Sequence, residues 1–179
     1  MRLVTQRLLL RRACARDLDG LHAVMSHPAA MRYWSTPEHE SRDQTGDFLQ
    51  TMITEHCDDF IVEHDGRVIG KAGAWQSLEL GYILHPDHWG KGLAREAMAV
   101  LIPHLFAAHD AAAITAETDP RNAASIALLT RFGFRETHRA ERTLLWRDEW
   151  CDSVCFALDR PAWPPAAWLP VPEVSRSHS

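Results

Sequence analysis

A glycine-bearing loop between a predicted strand and a predicted helix carries the clearest chemistry in this 179-residue sequence. Gly90 and Gly92 allow the backbone to approach a ligand closely, because glycine has no Cβ atom and adopts positive φ readily. The loop amides and the first free amides of the helix then point the same way, with the positive end of the helix dipole behind them. Lys91 adds a positive charge at the rim. The pattern predicts a cradle for a pyrophosphate group.

Two other phosphate-binding motifs do not match the sequence. A P-loop places four residues between its glycines and a Ser or Thr after its lysine, whereas three residues separate Gly66 from Gly70 and Ala72 follows Lys71. A Rossmann fingerprint would place glycine or alanine where Arg95 stands. The cradle therefore belongs to another class of phosphate site.

The elements that must position this loop alternate between strands and helices. Strands are predicted at 7–13, 60–62, 67–74, 78–84, 111–119, 134–145 and 150–158, and helices after residue 17, after residue 41, at 93–108 and at 122–132. This alternation predicts an α/β fold with a mixed sheet.

Several residues set the expected helix ends. Asp17 reads as the N-cap of the first helix, and Ser41 with Gln44 reads as a capping box for the second. Pro103 lies inside the apolar stripe of the third helix and predicts a kink or an early end. Gly133 stands where a helix C-terminus favours glycine.

Composition limits the class of protein. Hydrophobic residues make up 46% and charged residues 24% of the chain, and the net charge is −5. These values are typical of a globular protein and argue against a nucleic-acid or anionic-membrane partner. No apolar run is long enough for a signal peptide or a membrane span, so a cytoplasmic location is expected. We expect one domain at 1–160 and a Pro/Trp-rich tail at 161–179.

The cysteines and histidines predict no metal site. Free thiols are expected at the four cysteines, which lie at 14, 57, 151 and 155 and do not show zinc-ligand spacing. His85 and His88 lie three residues apart, but Pro86 separates them and a third ligand is absent nearby. A loop role is therefore the favoured interpretation of this pair.

Taken together, these motifs resemble the GNAT superfamily of acetyl-CoA-dependent N-acetyltransferases. The segment WGKGLA at 89–94 matches the family's (Q/R)-x-x-G-x-(G/A) pyrophosphate loop, with the tryptophan that is typical of the RimJ/RimL-type branch. TQRLLLR at 5–11 and NAASIALLTRFGF at 122–134 match further motifs, so the resemblance covers roughly residues 3–158. It implies a mixed, mostly antiparallel central sheet flanked by helices and splayed at its central strand, where acetyl-CoA inserts.

The resemblance also implies which residues bind acetyl-CoA. Backbone groups around Ile83 and Leu84 would pair with the pantetheine arm. The pyrophosphate would be held by the consecutive loop amides of Trp89, Gly90, Lys91, Gly92, Leu93 and Ala94. Asn122 would contact the cofactor through its side-chain amide. A helix N-cap is the alternative interpretation of Asn122, and the two roles are compatible.

The same resemblance assigns two catalytic positions. Glu79 matches the general-base carboxylate, which acts directly or through a water, and its alternative is a solvated strand residue. Ser125 would hydrogen-bond the sulfur of the leaving CoA, and its alternative is an ordinary first-turn hydroxyl. The family's usual tyrosine acid is absent, because Leu129 occupies its position.

The acceptor is less well defined by the sequence. Tyr33, Trp34 and Trp75 are candidates to line an amine pocket, with ordinary packing as the alternative. The expected acceptor is a primary amine, either a peptide N-terminus or a small molecule. A non-catalytic acyl-CoA-binding or protein-interaction module is the alternative function, and a homodimer is left open.

Overall fold

The computed structural model describes residues 1–55 and 58–160 of the chain. The tail predicted at 161–179 and the thiol predicted at Cys57 lie outside these residues, so both stay predictions. Cys14, Cys151 and Cys155 are free thiols, as expected. Within the two described ranges, no helix has the length and apolar character needed to cross a membrane.

Eight strands and five α-helices make up the described chain. The strands are β1 (Arg2–Val4), β2 (Leu8–Arg12), β3 (Asp59–His64), β4 (Arg67–Trp75), β5 (Glu79–Leu84), β6 (Ala113–Thr118), β7 (Arg135–Trp146) and β8 (Glu149–Asp159). The helices are α1 (Leu18–Met25), α2 (Pro28–Met31), α3 (Arg42–Thr54), α4 (Leu93–Ala108) and α5 (Ala123–Arg131).

The strands form a single sheet in the order β1-β2-β3-β4-β5-β6-β8-β7. Every neighbouring pair is antiparallel except β5 and β6, which are parallel. This confirms the mixed, mostly antiparallel sheet with flanking helices. The one parallel contact lies near the centre of the sheet, at the start of β5, and β5 is the strand that leads to the glycine loop.

Helices cover both faces of the sheet because strand side chains alternate between faces. On β3, Phe60 and Val62 pack with helices α4 and α5, whereas Ile61 packs with helices α1 to α3. Leu101 of α4 and Leu21 of α1 are fully buried on opposite sides. The sheet therefore has two cores, and its central strands are fixed from both faces.

Two short elements were not predicted from the sequence. Strand β1 pairs with β2 through three residue pairs and extends the sheet by one edge strand. Helix α2 starts at Pro28, where His27 Nδ1 accepts a hydrogen bond from the Ala29 amide. Proline is well suited to this first helical position, so Pro28 opens a new helix after α1 has ended.

Some of the predicted helix ends are confirmed by the structure and others are wrong. Ser41 Oγ accepts a hydrogen bond from the Gln44 amide, while Gln44 Oε1 accepts from the amide of Glu40. The early end predicted at Pro103 is wrong, since α4 continues to Ala108. Helix α5 ends before Gly133, whose φ of +86° is the left-handed conformation expected there.

The capping role predicted for Asp17 is also wrong. Asp17 occupies the position before α1, but its carboxylate makes no capping bond to that helix. It instead accepts two hydrogen bonds from the Arg11 guanidinium, at 2.6 and 2.8 Å, and one from the Cys14 amide. A buried arginine is a stronger partner than a helix amide, so the ion pair determines where this carboxylate points.

Candidate active site

The parallel strands β5 and β6 meet only at one end. Their register consists of the single pair Glu79 and Thr115, although each strand is six residues long. Beyond this pair the strands separate, and among the described residues no strand pairs with that edge of β5. The splay implied by the resemblance is therefore present.

The open edge of β5 presents the backbone of alternate residues. The His85 amide, just after β5, donates to the carbonyl of Ile69 in β4, so strand alternation turns the backbone groups of Ile83 toward β4 as well. Tyr82 and Leu84 then direct their backbone groups into the splay. Of the two residues expected to pair with a pantetheine arm, Leu84 lies on the correct side.

Six consecutive backbone amides lie free at the end of this edge. Within the described part of the chain, the amides of residues 90–95 have no hydrogen-bond acceptor. Gly90 and Gly92 have φ of +71° and +75°, which bends the loop and leads directly into α4. The Trp89 amide is already bonded to the Pro86 carbonyl, so the cradle begins one residue later than expected.

Nothing in the described structure fills this cradle. A Cβ atom built at Gly90 would meet no heavy atom within 4 Å, and one at Gly92 would approach only Arg7 Nη2, at 3.8 Å. Free amides at a helix N-terminus, with open space in front of them, suit an anionic group such as a pyrophosphate. The residues present therefore fit the group that the loop motif predicts.

Long-range contacts hold the loop in place from both sides. Arg7 forms an ion pair with Glu96 of α4 at 2.6 Å and donates to the carbonyl of Lys91 at 3.0 Å. On the other side, Trp89 Nε1 donates to the Leu84 carbonyl at 2.8 Å. These contacts hold the loop against the residue that precedes β2 and against the end of β5. Its amides are therefore preorganised for a ligand.

A groove of about 890 Å³ runs from the loop along the splay. Its walls include Leu84 and Trp89 to Ala94 (without Lys91) together with Tyr33, Trp34, Tyr82, Ile83, Asn122 and Ser125. Most of the residues predicted to bind acetyl-CoA are thereby brought together. Lys91 does not line the groove, whereas Arg95 does and is the basic residue beside the cradle.

A second, smaller cavity of about 120 Å³ adjoins the groove. Arg32, Tyr33, Trp34 and Trp146 line both cavities. The smaller one, here called the acidic cavity, is also lined by four carboxylates, those of Glu79, Glu117, Asp119 and Asp152. Trp75 lines neither cavity, although it pairs with Glu79 at the start of β5. Tyr33 and Trp34 are thus the two predicted aromatics that reach the cavities.

Glu79 is an exposed residue with a perturbed ionisation. Partial burial raises the pKa of its carboxyl above the usual value, and the negative charge of Glu117 raises it further. Such a carboxylate holds a proton more strongly than an ordinary surface glutamate, which is the property a general base needs.

Glu117 was missed by the sequence analysis. It accepts a hydrogen bond from Ser153 Oγ, and Ser153 Oγ lies 2.6 Å from Thr143 Oγ1 of β7. Alternation along β6 placed Glu117 on the same face as Thr115, which was the available signal. Its approach to Glu79 depends on the pairing of β5 with β6, and no local pattern reports that pairing.

Helix α5 begins with the predicted residues in their predicted places. Asn122 is the N-cap, since its Oδ1 accepts a hydrogen bond from the Ser125 amide at 3.1 Å, and it also lines the groove. Ser125 Oγ lies 2.8 Å from the hydroxyl of Tyr82 across the splay. Leu129 is only 2% exposed and packs in the core, so this position presents no polar group to the groove.

A buried ion pair packs against the ring of Trp34. Lys71 Nζ lies 2.6 Å from Asp59 Oδ2 and 5.1 Å from the centre of the Trp34 ring. The ammonium also lies 5.5 Å from the ring of Phe48. These contacts hold the Trp34 ring, which lines both the groove and the acidic cavity. No sequence pattern indicated them.

The fold and the site define an acyl-CoA-type transferase, and comparison with known proteins specifies the family. Residues 7–135 match the model of the acetyltransferase (GNAT) domain. An uncharacterised N-acetyltransferase p20 of Bacillus licheniformis is 32% identical over 146 residues, covering 75% of this chain and 82% of that protein. The chain therefore belongs to the GNAT acetyltransferase family and is an N-acetyltransferase.

One further relative supports the RimJ/RimL-type branch, and a solved structure shows the same fold. The ribosomal protein uS5-alanine N-acetyltransferase of Escherichia coli is 34% identical over 93 residues, covering 52% of this chain and 48% of that enzyme. The structure of RimL, a ribosomal L7/L12 α-N-protein acetyltransferase in complex with coenzyme A, superposes with a TM-score of 0.77 at 18% identity, covering 88% of this chain and 96% of that one.

Proposed function

We propose that this protein transfers the acetyl group of acetyl-CoA directly to a primary amine, in a ternary complex. The observation that carries the proposal is the continuity of the groove. It begins at the free amides of 90–95 and follows the open edge of β5, and the smaller cavity that adjoins it is lined by Glu79. An anion-binding end, an extended middle and a general base thus follow one another along the line of β5.

The residues along the groove have distinct roles in binding the cosubstrate. The amides from Gly90 to Ala94 hold the pyrophosphate, with Arg95 beside them, and the backbone of Leu84 and Tyr82 pairs with the pantetheine arm. From Leu84 to Glu79 the strand spans about 16 Å, so the thioester reaches the region of Tyr82 and Ser125. The side-chain amide of Asn122 lies at the same wall and contacts the arm while it caps α5.

Glu79 acts as the general base. The acceptor amine is protonated near neutral pH and must lose its proton before it attacks the thioester carbonyl. Glu79 accepts that proton, directly or through a water. A backbone N–H of β5 stabilises the oxyanion of the tetrahedral intermediate. Ser125 hydrogen-bonds the sulfur as the C–S bond breaks.

The acidic cavity fits a cationic acceptor. Its carboxylates create a negative potential that attracts an ammonium group, and Tyr33 and Trp34 provide an apolar wall. An α-amine has an ordinary pKa near 7.7, whereas a lysine amine has about 10.4, so a carboxylate base removes a proton from the α-amine more readily. We therefore propose a peptide N-terminus as the acceptor, consistent with the activities in the names of the uS5 and L7/L12 relatives.

Two measurements test this function. Calorimetric titration with acetyl-CoA and with free CoA is expected to show saturable one-to-one binding. Next, peptides with a free N-terminus and one internal lysine are incubated with acetyl-CoA, and mass spectrometry locates the acetyl group. Acetylation at the α-amine supports the proposal, with N-terminally blocked peptides as the control. Modification of lysine alone, or of small amines alone, would refute the peptide N-terminus as the acceptor. The assignment of the protein as an acetyltransferase would still stand.

A further inference from the structure

Two hydroxyl groups meet across the splay at the place where the thioester would lie. Tyr82 Oη, from β5, and Ser125 Oγ, from the first turn of α5, are 2.8 Å apart. The residues are 43 positions apart in sequence and come from opposite sides of the opening. Both line the groove, so the pair is accessible to a ligand there.

The chemistry of the two groups determines which one donates. A phenol, with an ordinary pKa near 10, is a far stronger acid than an aliphatic alcohol, so the favoured arrangement has Tyr82 Oη–H donating to Ser125 Oγ. Burial raises the pKa of Tyr82, which keeps the donor protonated. The Ser125 amide donates to Asn122 Oδ1, which holds Ser125 in the first helical turn. The serine proton is then left to point elsewhere in the groove.

We infer that Tyr82 is a positioning residue that directs the Ser125 hydroxyl proton toward the leaving sulfur of acetyl-CoA. The inference rests on the proposed function, because it requires a thioester in the groove. Tyr82 acts through Ser125 rather than on the sulfur. It also fills a gap in the site, since the family's usual tyrosine position carries the buried Leu129.

The reaction step balances without net proton loss from the pair. The ammonium proton first leaves through Glu79 to solvent. The neutral amine nitrogen then forms a bond to the acetyl carbon, its second proton passes to Glu79, and the C–S bond breaks with the electron pair remaining on sulfur. Full transfer of a proton from a phenol to a thiolate is unfavourable by roughly thirtyfold, given ordinary pKa values near 10 and 8.5. The pair therefore stabilises the thiolate by hydrogen bonding, and the thiolate takes its proton from solvent.

A double-mutant cycle tests the inference. Tyr82→Phe, Ser125→Ala and the double variant are purified, and kcat is measured at saturating acetyl-CoA and amine, with CoA affinity measured by calorimetry. Removing an indirect hydrogen bond is expected to lower kcat about tenfold in Tyr82→Phe while CoA affinity stays unchanged. In the Ser125→Ala background, Tyr82→Phe is expected to have no further effect, because its partner is gone.

Two additional variants separate this role from a structural one. Ser125→Thr retains the hydroxyl and is expected to restore most of the activity lost in Ser125→Ala. Ser26→Ala also removes a serine hydroxyl, one that donates to the His22 carbonyl away from the groove, and is expected to keep wild-type kcat. Melting temperatures of all variants are compared with that of the wild type.

Three results would overturn the inference in an active enzyme. These are an unchanged kcat in Tyr82→Phe, effects of the two substitutions that simply add, and a loss confined to CoA affinity. A wild-type protein that turns over no amine with acetyl-CoA would instead contradict the proposed function. The two failures are therefore distinguishable.

Discussion

Glu79 lies opposite Thr115 at the one point where the parallel strands β5 and β6 are in register. This pair closes the splay, so the carboxylate stands at the end of the groove farthest from the pyrophosphate cradle. A ligand anchored at the cradle and extended along β5 must present its far end near Glu79. The position of the base is thus a consequence of where the sheet opens.

Replacing Glu79 tests its role as the base. Glu79→Gln is expected to lower kcat about a hundredfold, since a positioned general base typically contributes that much or more. The loss should grow as pH falls from the pKa of the amine toward the raised pKa of Glu79, because in that range the amine is protonated and the wild-type base is ionised. Acetyl-CoA affinity, measured by calorimetry, should stay nearly unchanged. Equal relative turnover at every pH would remove Glu79 from this role.

Glu117 is expected to set the pH dependence. Its charge, together with burial, raises the pKa of Glu79, so below that raised pKa the base is protonated and activity falls. Glu117→Gln removes the like charge and lowers the Glu79 pKa. The acid limb of the pH–kcat profile should therefore move to lower pH. Glu117→Asp keeps the charge and serves as the control; an unmoved acid limb in Glu117→Gln would disprove the coupling.

The free amides of the loop depend on glycine at position 92. Gly92→Val introduces a side chain at φ +75° and into the cradle, and should abolish measurable acetyl-CoA binding. Gly66 provides a matched control, since it has φ +73° and equally open space but lies in the β3–β4 hairpin. Gly66→Val should lose stability while retaining affinity in calorimetry. Retained affinity in Gly92→Val would contradict the loop assignment.

The Arg11–Asp17 ion pair should make the fold acid-sensitive. Burial acts to raise the pKa of Asp17, but the hydrogen bonds from Arg11 and the Cys14 amide outweigh it and hold the pKa below its usual value. The stabilisation is therefore present above the unfolded pKa near 3.8 and is lost as pH falls through the lower folded pKa. Urea titrations of the wild type and of Asp17→Asn at several pH values measure this contribution.

The size of the effect follows from burial. The Asp17 side chain is 2% exposed, so Asp17→Asn leaves the Arg11 charge without its main partner. A loss of about 3 kcal/mol in the free energy of unfolding is expected at neutral pH, shrinking in acid. Asp19→Asn is the control, because that side chain lies two residues further on, in α1, is 72% exposed and should change stability little. A loss in Asp17→Asn that does not depend on pH would contradict the assignment.

Local sequence determined much of the fold and the cradle. Positive φ at Gly90 and Gly92, the Asn122 cap and the end of α5 at Gly133 each depend on residues within one or two turns of each other. Seven of the eight strands were predicted from local signals, such as the Asp65-Gly66 turn between β3 and β4 and the alternation over 111–119. Strand β1 was missed because three residues are too few to show a period.

Only the tertiary structure decided which distant groups meet. The pairs Arg7–Glu96, Glu79–Glu117 and Tyr82–Ser125 join residues at least 38 positions apart, and their contacts depend on strand order and on where β5 leaves β6. Asp17 is a further example. Its local pattern predicted a helix cap, but its carboxylate forms an ion pair with the buried Arg11 of β2 instead. Spacing reports nearest neighbours along the chain, whereas catalysis here depends on neighbours across the sheet.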